Sequence, residues 1–206
     1  MYKFIFLMLL SFASTGADFE KYFPRLIRLE GILFTVTQYD KGGATKFGVT
    51  LKRYKEYCLA RRIQVVLCDK NLDNKVDEKD LQLTVLQDIR PVYRECYWNY
   101  VQASDINNQC VAELFVDLIV NSGTGYKNRH IKAFQHIVGV KADGIMGKNT
   151  LRAINKSPPM KVYDNLYQYR VHYYQTRSKL QVKVFGKGWL NRLIKLKNQH
   201  QNEKFI

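Results

Sequence analysis

Two adjoining stretches decide how this chain reads: Asp18-Phe19-Glu20-Lys21-Tyr22-Phe23-Pro24-Arg25-Leu26-Ile27-Arg28-Leu29-Glu30-Gly31, and then Gln38-Tyr39-Asp40-Lys41-Gly42-Gly43-Ala44-Thr45-Lys46-Phe47-Gly48-Val49-Thr50. Asp18 is placed to cap a helix whose face carries Phe19, Phe23, Leu26 and Ile27. Pro24 belongs in its first turn or kinks it, and Gly31 fits the stop. Glu30 then falls in the last turn, on the side of Leu26 and Ile27, at the edge of an apolar core. Residues 32–49 lose the helical period. The alternation Leu33-Phe34-Thr35-Val36-Thr37 and the pair Gly42-Gly43 predict a small hairpin or ribbon. Thr50 is the expected cap of the next helix, whose face is Leu51, Tyr54, Cys58 and Leu59 and which ends near Arg62.

Downstream, helical patterns dominate. Thr84-Val85-Leu86-Gln87 reads as a capping box, opening a helix to about Trp98 with a kink expected at Pro91. Residues 108–121 form the clearest buried helix, with Val111, Leu114, Phe115, Leu118 and Ile119 as its stripe and Ser122-Gly123 as its end. Residues 128–138 give another helix, stopped by Gly139. Val140 to Thr150 is a tight turn into a short helix, and Pro158-Pro159 breaks the chain. A long Tyr-rich helix is expected at 160–179, with Tyr169, Tyr173 and Tyr174 packing as core, and a last basic helix near Trp189. The fold class expected is mainly α, an α+β arrangement: a helical bundle with a small Gly-rich β-hairpin.

The chain has 206 residues, 46% hydrophobic and 13% aromatic, enough for one sizeable core or a domain with a smaller companion. Its net charge of +15 suits anionic partners. No zinc finger, RNA-recognition motif or compact Lys/Arg block is present, which argues against nucleic acid. Lys3, the largely apolar run Phe4 to Phe12, and the small residues Ala13 to Ala17 read as an export signal over residues 1–17. That run is too short to cross a ~30 Å hydrocarbon core, so no stable membrane anchor is expected. Four cysteines, Cys58, Cys68, Cys96 and Cys110, lack a CxxC pair; they allow three disulfide connectivities or buried thiols.

Residues 69–80 are patterned like an EF-hand calcium loop. Asp69, Asn71, Asp73, the Lys75 carbonyl and Asp80 fall at ligand positions, with Asn74 where Gly is usual and Asp80 where Glu is usual. The alternative is a solvated polar loop.

Glu30, Asp40 and Thr45 are the candidate catalytic residues. Cleaving a sugar–sugar bond needs a protonated carboxyl beside the leaving oxygen and a second polar group that handles water or supports the cation. A Glu at a helix C-terminus among apolar neighbours has its carboxyl pushed up by both the helix dipole and burial. An inverting enzyme also needs room for a water between groups ~6.5–9.5 Å apart. The alternative for Glu30 is a helix-end salt bridge with Arg28 or Arg53, and for Asp40 a turn residue bonding its own loop. Asp117 and Asn121, four apart on one helix face, are candidates for orienting Glu30 or binding an N-acetyl group; the alternative is helix capping and buried hydrogen bonding.

Glu30-Gly31, Asp40-x-Gly42-Gly43-x-Thr45-x-x-Gly48-Val49-Thr50, Tyr97-Trp98, Asp117-x-x-x-Asn121-x-Gly123, Val140-x-x-Asp143-Gly144-x-x-Gly147-x-x-Thr150 and Phe185-x-x-Gly188-Trp189-x-x-Arg192 occur in this order. Together they resemble glycoside hydrolase family 108, the bacterial N-acetylmuramidases, with its C-terminal peptidoglycan-binding segment. The departure is Ile32, where the family has a second Gly; a side chain there could narrow the cleft or redirect the loop. The resemblance implies a lysozyme-like muramidase domain over 18–124 and a peptidoglycan-binding-type segment over 125–200. It implies cleavage of the β-1,4 bond between N-acetylmuramic acid and N-acetylglucosamine, with Glu30 as acid and Asp40 and Thr45 assisting. The expected partner is peptidoglycan in an anionic cell wall, met by a monomer outside the cytoplasm or in the periplasm. No cofactor is expected for the chemistry, and any calcium would be structural. The rivals are a lytic transglycosylase, which uses one Glu and no water, and an inactive wall-binding protein.

Overall fold

The computed structural model describes residues 16–36, 43–60 and 65–201, the side chains of Val65 and Val66 excepted. Residues 1–15 of the expected export signal, and Asp40, lie outside the described residues. Helix α1 is Phe19–Glu30, capped by Asp18, whose carboxylate accepts the Glu20 amide at 2.8 Å. Pro24 sits inside it, one turn beyond the start. Gly31 ends it with φ 80°, donating its N–H to the Ile27 carbonyl. Only glycine enters that region without steric cost.

The ribbon is small. Strands β1 (Thr45–Lys46) and β2 (Val49–Thr50) pair antiparallel around Phe47-Gly48, and Thr35 bridges Thr45 from the other side. Of the expected alternating strand, the described residues 33–36 make only that bridge, and Leu33 and Val36 are exposed. Lys46 ties the ribbon to the body through the Gln82 and Thr84 carbonyls. Helix α2 (Leu51–Ala60) starts where Thr50 predicts, its hydroxyl accepting the Arg53 amide at 3.3 Å. A disulfide joins Cys58 of α2 to Cys68 at the end of α3 (Val65–Cys68), while Cys96 and Cys110 remain thiols. Closing so short a loop restricts the unfolded chain by about 3 kcal/mol.

In the 69–80 loop the carboxylates serve the backbone. Asp69 accepts the Asp73 and Asn74 amides, and Asp80 accepts those of Lys70, Asn71 and Asp77. Asn74 takes positive φ, as its place in the loop predicts. Among the described residues no group of three His, Cys, Asp or Glu side chains is arranged to hold a metal ion. Asp80 closes a capping box on α4 (Glu78–Leu83). Thr84 ends that helix instead of opening the next. Helix α5 (Leu86–Tyr93) begins one residue later than Thr84 suggests, with Asp88 reaching back to the Val85 amide at 2.8 Å. The irregularity expected at Pro91 appears just after it, as a π-turn over Arg94–Trp98. Trp98 is fully buried, stacked near Phe19 and Tyr22, with its indole N–H donated to Ser104.

Helix α6 (Gln109–Ser122), capped by Asn108 and ended by Gly123, runs through the core. Ten consecutive residues, Cys110 to Ile119, are buried. Two of them are acids, Glu113 and Asp117, which must therefore be paired. Helices α7 (Arg129–Ile137) and α8 (Lys148–Lys156) flank the Asp143-Gly144 turn. There Asp143 accepts the Ile145 amide and Gln135 donates to Asp143. Helix α9 (Pro159–Gln175) packs on α6, α7, α8 and α10 (Lys179–His200). Helix α10 starts ten residues before Trp189, capped by the Ser178 hydroxyl, and carries Gly186 and Gly188 inside it. The helix thus begins well before the expected start near Trp189. Tyr174 is core, as expected. Tyr169 and Tyr173 are half-buried and line an open pocket of about 420 Å³ with Lys127, Arg129, Lys132 and His136. No described helix is long and apolar enough to cross a membrane.

Candidate active site

Glu30 stands at the mouth of a cleft of about 440 Å³. The end of α1 gives Glu30 and Gly31, the ribbon gives Thr35, Thr45, Gly48 and Thr50, and the end of α6 gives Val120 and Asn121. The helix stop at Gly31 and the close approach of the ribbon leave the Glu30 side chain only 15% exposed. A Cβ on Gly48 would lie 2.5 Å from Glu30 Oε2 and 2.6 Å from the Tyr93 hydroxyl, and Gly48 has φ 76°. Glycine is therefore required there twice over, by conformation and by space. Tyr93 steadies the turn by donating its hydroxyl to the Phe47 carbonyl at 2.8 Å.

The partner of Glu30 is Arg192, on α10. Its Nη2 donates to Glu30 Oε1 at 2.7 Å and to Asp117 Oδ1 at 2.6 Å, and its Nε donates to Asp117 at 3.1 Å. Neither arginine proposed from sequence fills this place; Arg53 pairs with Glu56. Asp117 is fully buried and lies behind Arg192, so it has no surface for a sugar. Its expected substrate contact gives way to an indirect one through the guanidinium. Arg170, also fully buried, donates to Asp117 at 2.9 Å, to the Leu114 carbonyl and to the Tyr174 hydroxyl. That hydroxyl donates to Asn121 Oδ1 at 3.0 Å, and Asn121 lines the cleft. Thr45 faces the cleft from the ribbon, its backbone paired with Thr35 in both directions at 2.8 Å. Ile32 is exposed and does not line the cleft, so the departure from the family pattern leaves the described walls untouched.

The charges divide the two acids. Burial pushes the Glu30 carboxyl up; Arg192 opposes this, and the Asp117 charge behind it adds to the rise. The net direction is upward because burial is the largest of these influences. Burial also acts to raise Asp117, but Arg192 and Arg170 outweigh it and hold that carboxyl below the usual range. Two acids whose environments push them apart are what an acid and a permanent counter-charge require. With Oε1 accepting from Arg192, a proton on Glu30 belongs on Oε2, beside Gly48 at the ribbon wall. Once that proton leaves, Arg192 stabilises the carboxylate.

The sequence contains no local sign of Arg192 or Arg170 as site residues. Arg192 stands 162 positions from Glu30, visible only as the last letter of the Phe185-to-Arg192 element.

The family model described as "Glycosyl hydrolase 108" matches residues 23–123, and that described as "Predicted Peptidoglycan domain" matches residues 129–194. The solved structure of SagA from Brucella abortus is similar at 27% identity and TM-score 0.70, over 88% of this chain and 92% of that one. A search of curated proteins found no match. The mainly α, lysozyme-like architecture and the two matched segments agree: residues 23–123 match glycosyl hydrolase family 108 and residues 129–194 a peptidoglycan domain, which together support a glycoside hydrolase directed at peptidoglycan.

Proposed function

We propose that the protein is an N-acetylmuramidase. It hydrolyses the β-1,4 bond between N-acetylmuramic acid and N-acetylglucosamine, with Glu30 as general acid. The observation that carries this reading is a buried Glu held at the wall of an open cleft with its carboxyl pushed up. A protonated Glu30 gives its proton to the leaving oxygen, and the oxocarbenium-like transition state follows. Thr45, on the facing ribbon, is suited to hold the attacking water. Asp40 remains the family's candidate for the same task. Asn121 offers an amide to a substrate N-acetyl group. This chemistry calls for no cofactor.

The positive charge and the pocket of Tyr169, Tyr173, Lys127, Arg129 and Lys132 suit the C-terminal segment to an anionic glycan strand, met by a monomer. The disulfide and the N-terminal run at 1–17 support export to the cell envelope or beyond. A lytic transglycosylase is the second reading. It is favoured by one observation: among the described residues lining the cleft, Glu30 is the single carboxylate. Release of soluble fragments from purified sacculi by wild type and Glu30→Gln tests the proposal. Wild type should clear the suspension and Glu30→Gln should not; equal clearing would reject Glu30 as the acid.

A further inference from the structure

Helices α6 and α10 meet across a seam of buried charge. Glu113 and Asp117 lie one turn apart on α6, and each holds a side chain from α10. His200 Nε2 meets Glu113 at 2.9 Å, and Arg192 meets Asp117 at 2.6 Å. Arg25 of α1 adds a second hold on Glu113 at 3.0 Å, and Arg170 of α9 a second hold on Asp117. Helix α10 is thus fixed at two points two turns apart and cannot roll on α6. The guanidinium of Arg192 is in turn fixed at Nε and Nη2, which leaves its orientation no freedom. Among the described residues, its one hydrogen bond outside this seam goes to Glu30 Oε1.

We propose that Arg192 is a positioning residue for the acid: anchored on buried Asp117, it sets where the Glu30 carboxyl stands in the cleft, so the C-terminal segment helps build the catalytic centre. This rests on the reading of Glu30 as the acid. A carboxyl at the end of a helix has three rotatable bonds and would otherwise sample several rotamers. Tying Oε1 to a guanidinium that cannot move selects the one that turns Oε2 toward Gly48 and the ribbon. The segment matched as a peptidoglycan domain then has a second task beyond binding: without α10 in place, the acid loses its anchor.

The test compares full-length wild type, Glu30→Gln, Arg192→Gln and Arg192→Lys on solubilised glycan strands, with kcat, KM and the pH profile of kcat measured for each. For Arg192→Gln the expected result is a fall in kcat of about 10²-fold, the scale of a displacement near 1 Å. KM should stay within about twofold, as for a loss confined to the transition state. The alkaline limb should move to higher pH, because a cation that favoured the carboxylate has gone while Asp117 remains. Arg192→Lys should recover part of the rate and most of the limb, since it keeps the charge but loses the planar fork by which Nε and Nη2 grip Asp117. A folded Arg192→Gln protein with unchanged kcat overturns the proposal, and so does a fall in kcat with an unmoved alkaline limb, the mark of a merely structural residue. If Arg192→Gln does not fold, Arg192→Lys decides: wild-type kcat in that variant overturns the proposal, and a selective loss of kcat supports it. Activity in Glu30→Gln would instead reject the acid itself, a result distinct from any of these.

Discussion

Replacing Gly48 by Ala probes the acid's placement without touching a titratable group. The added Cβ would stand 2.5 Å from Glu30 Oε2, 2.6 Å from the Tyr93 hydroxyl and 2.7 Å from Glu30 Cγ. Ordinary contact begins near 3.4 Å, so Glu30 or the ribbon must retreat by about 1 Å. The left-handed backbone costs a non-glycine residue about 1–2 kcal/mol. Pushing the Glu30 side chain off its rotamer adds about 0.5–1.5 kcal/mol. Together these should lower the melting temperature by about 4–10 °C for a chain of this size. The rate should fall more steeply, by about 10²-fold in kcat, because a 1 Å misplacement of an acid is felt fully at the transition state. Gly139→Ala is the control: it has φ 73° and nothing within 4 Å of the added Cβ. It should lose about 1–2 kcal/mol of stability from the backbone alone and keep wild-type kcat. Thermal melting and reducing-end release measure both effects. Wild-type kcat in a folded Gly48→Ala protein would refute the argument that the ribbon fixes the acid.

With Glu30 pushed above its ordinary 4.5, kcat should fall as pH rises through that raised value, read from a rate–pH profile. The folded state binds this proton more tightly than the unfolded one, so stability should also decline as pH rises from 4.5 through the raised value; Glu30→Gln should flatten that decline in urea titrations. Arg170→Met removes a buried guanidinium from Asp117, Leu114 and Tyr174 and should cost about 3–5 kcal/mol by urea denaturation, whereas a loss within error would mean Asp117 is satisfied by Arg192 alone. Adding calcium to chelator-treated protein should leave the melting temperature unchanged, because Asp69 and Asp80 already accept five backbone amides between them; a rise would mean the loop reopens around the ion.

What the sequence made legible is what local chemistry specifies. Asp18 and Thr50 cap helices, and Gly31, Gly123 and Gly139 end or follow them at positive φ, because caps and stops are decided within a few residues. Glu30 could be placed at the edge of the core from helical spacing alone. Its partner could not, since a guanidinium 162 residues away meets it only after α10 has docked on α9 and α6. Spacing left Asp117 open between the cleft and buried hydrogen bonding, and the approach of Arg170 and Arg192 decides for burial. The start of α10 at Lys179, ten residues before the expected one near Trp189, is another such miss. The calcium pattern at 69–80 reads the same letters that build capping and turn hydrogen bonds, and spacing does not separate the two uses.

The most direct test is mass spectrometry of the soluble products that wild type and Glu30→Gln release from purified peptidoglycan. The account predicts fragments ending in reducing N-acetylmuramic acid from wild type and none from Glu30→Gln. Anhydro ends, lighter by one water, would contradict hydrolysis and make the protein a transglycosylase; fragments from both proteins would contradict the central claim that Glu30 is the acid.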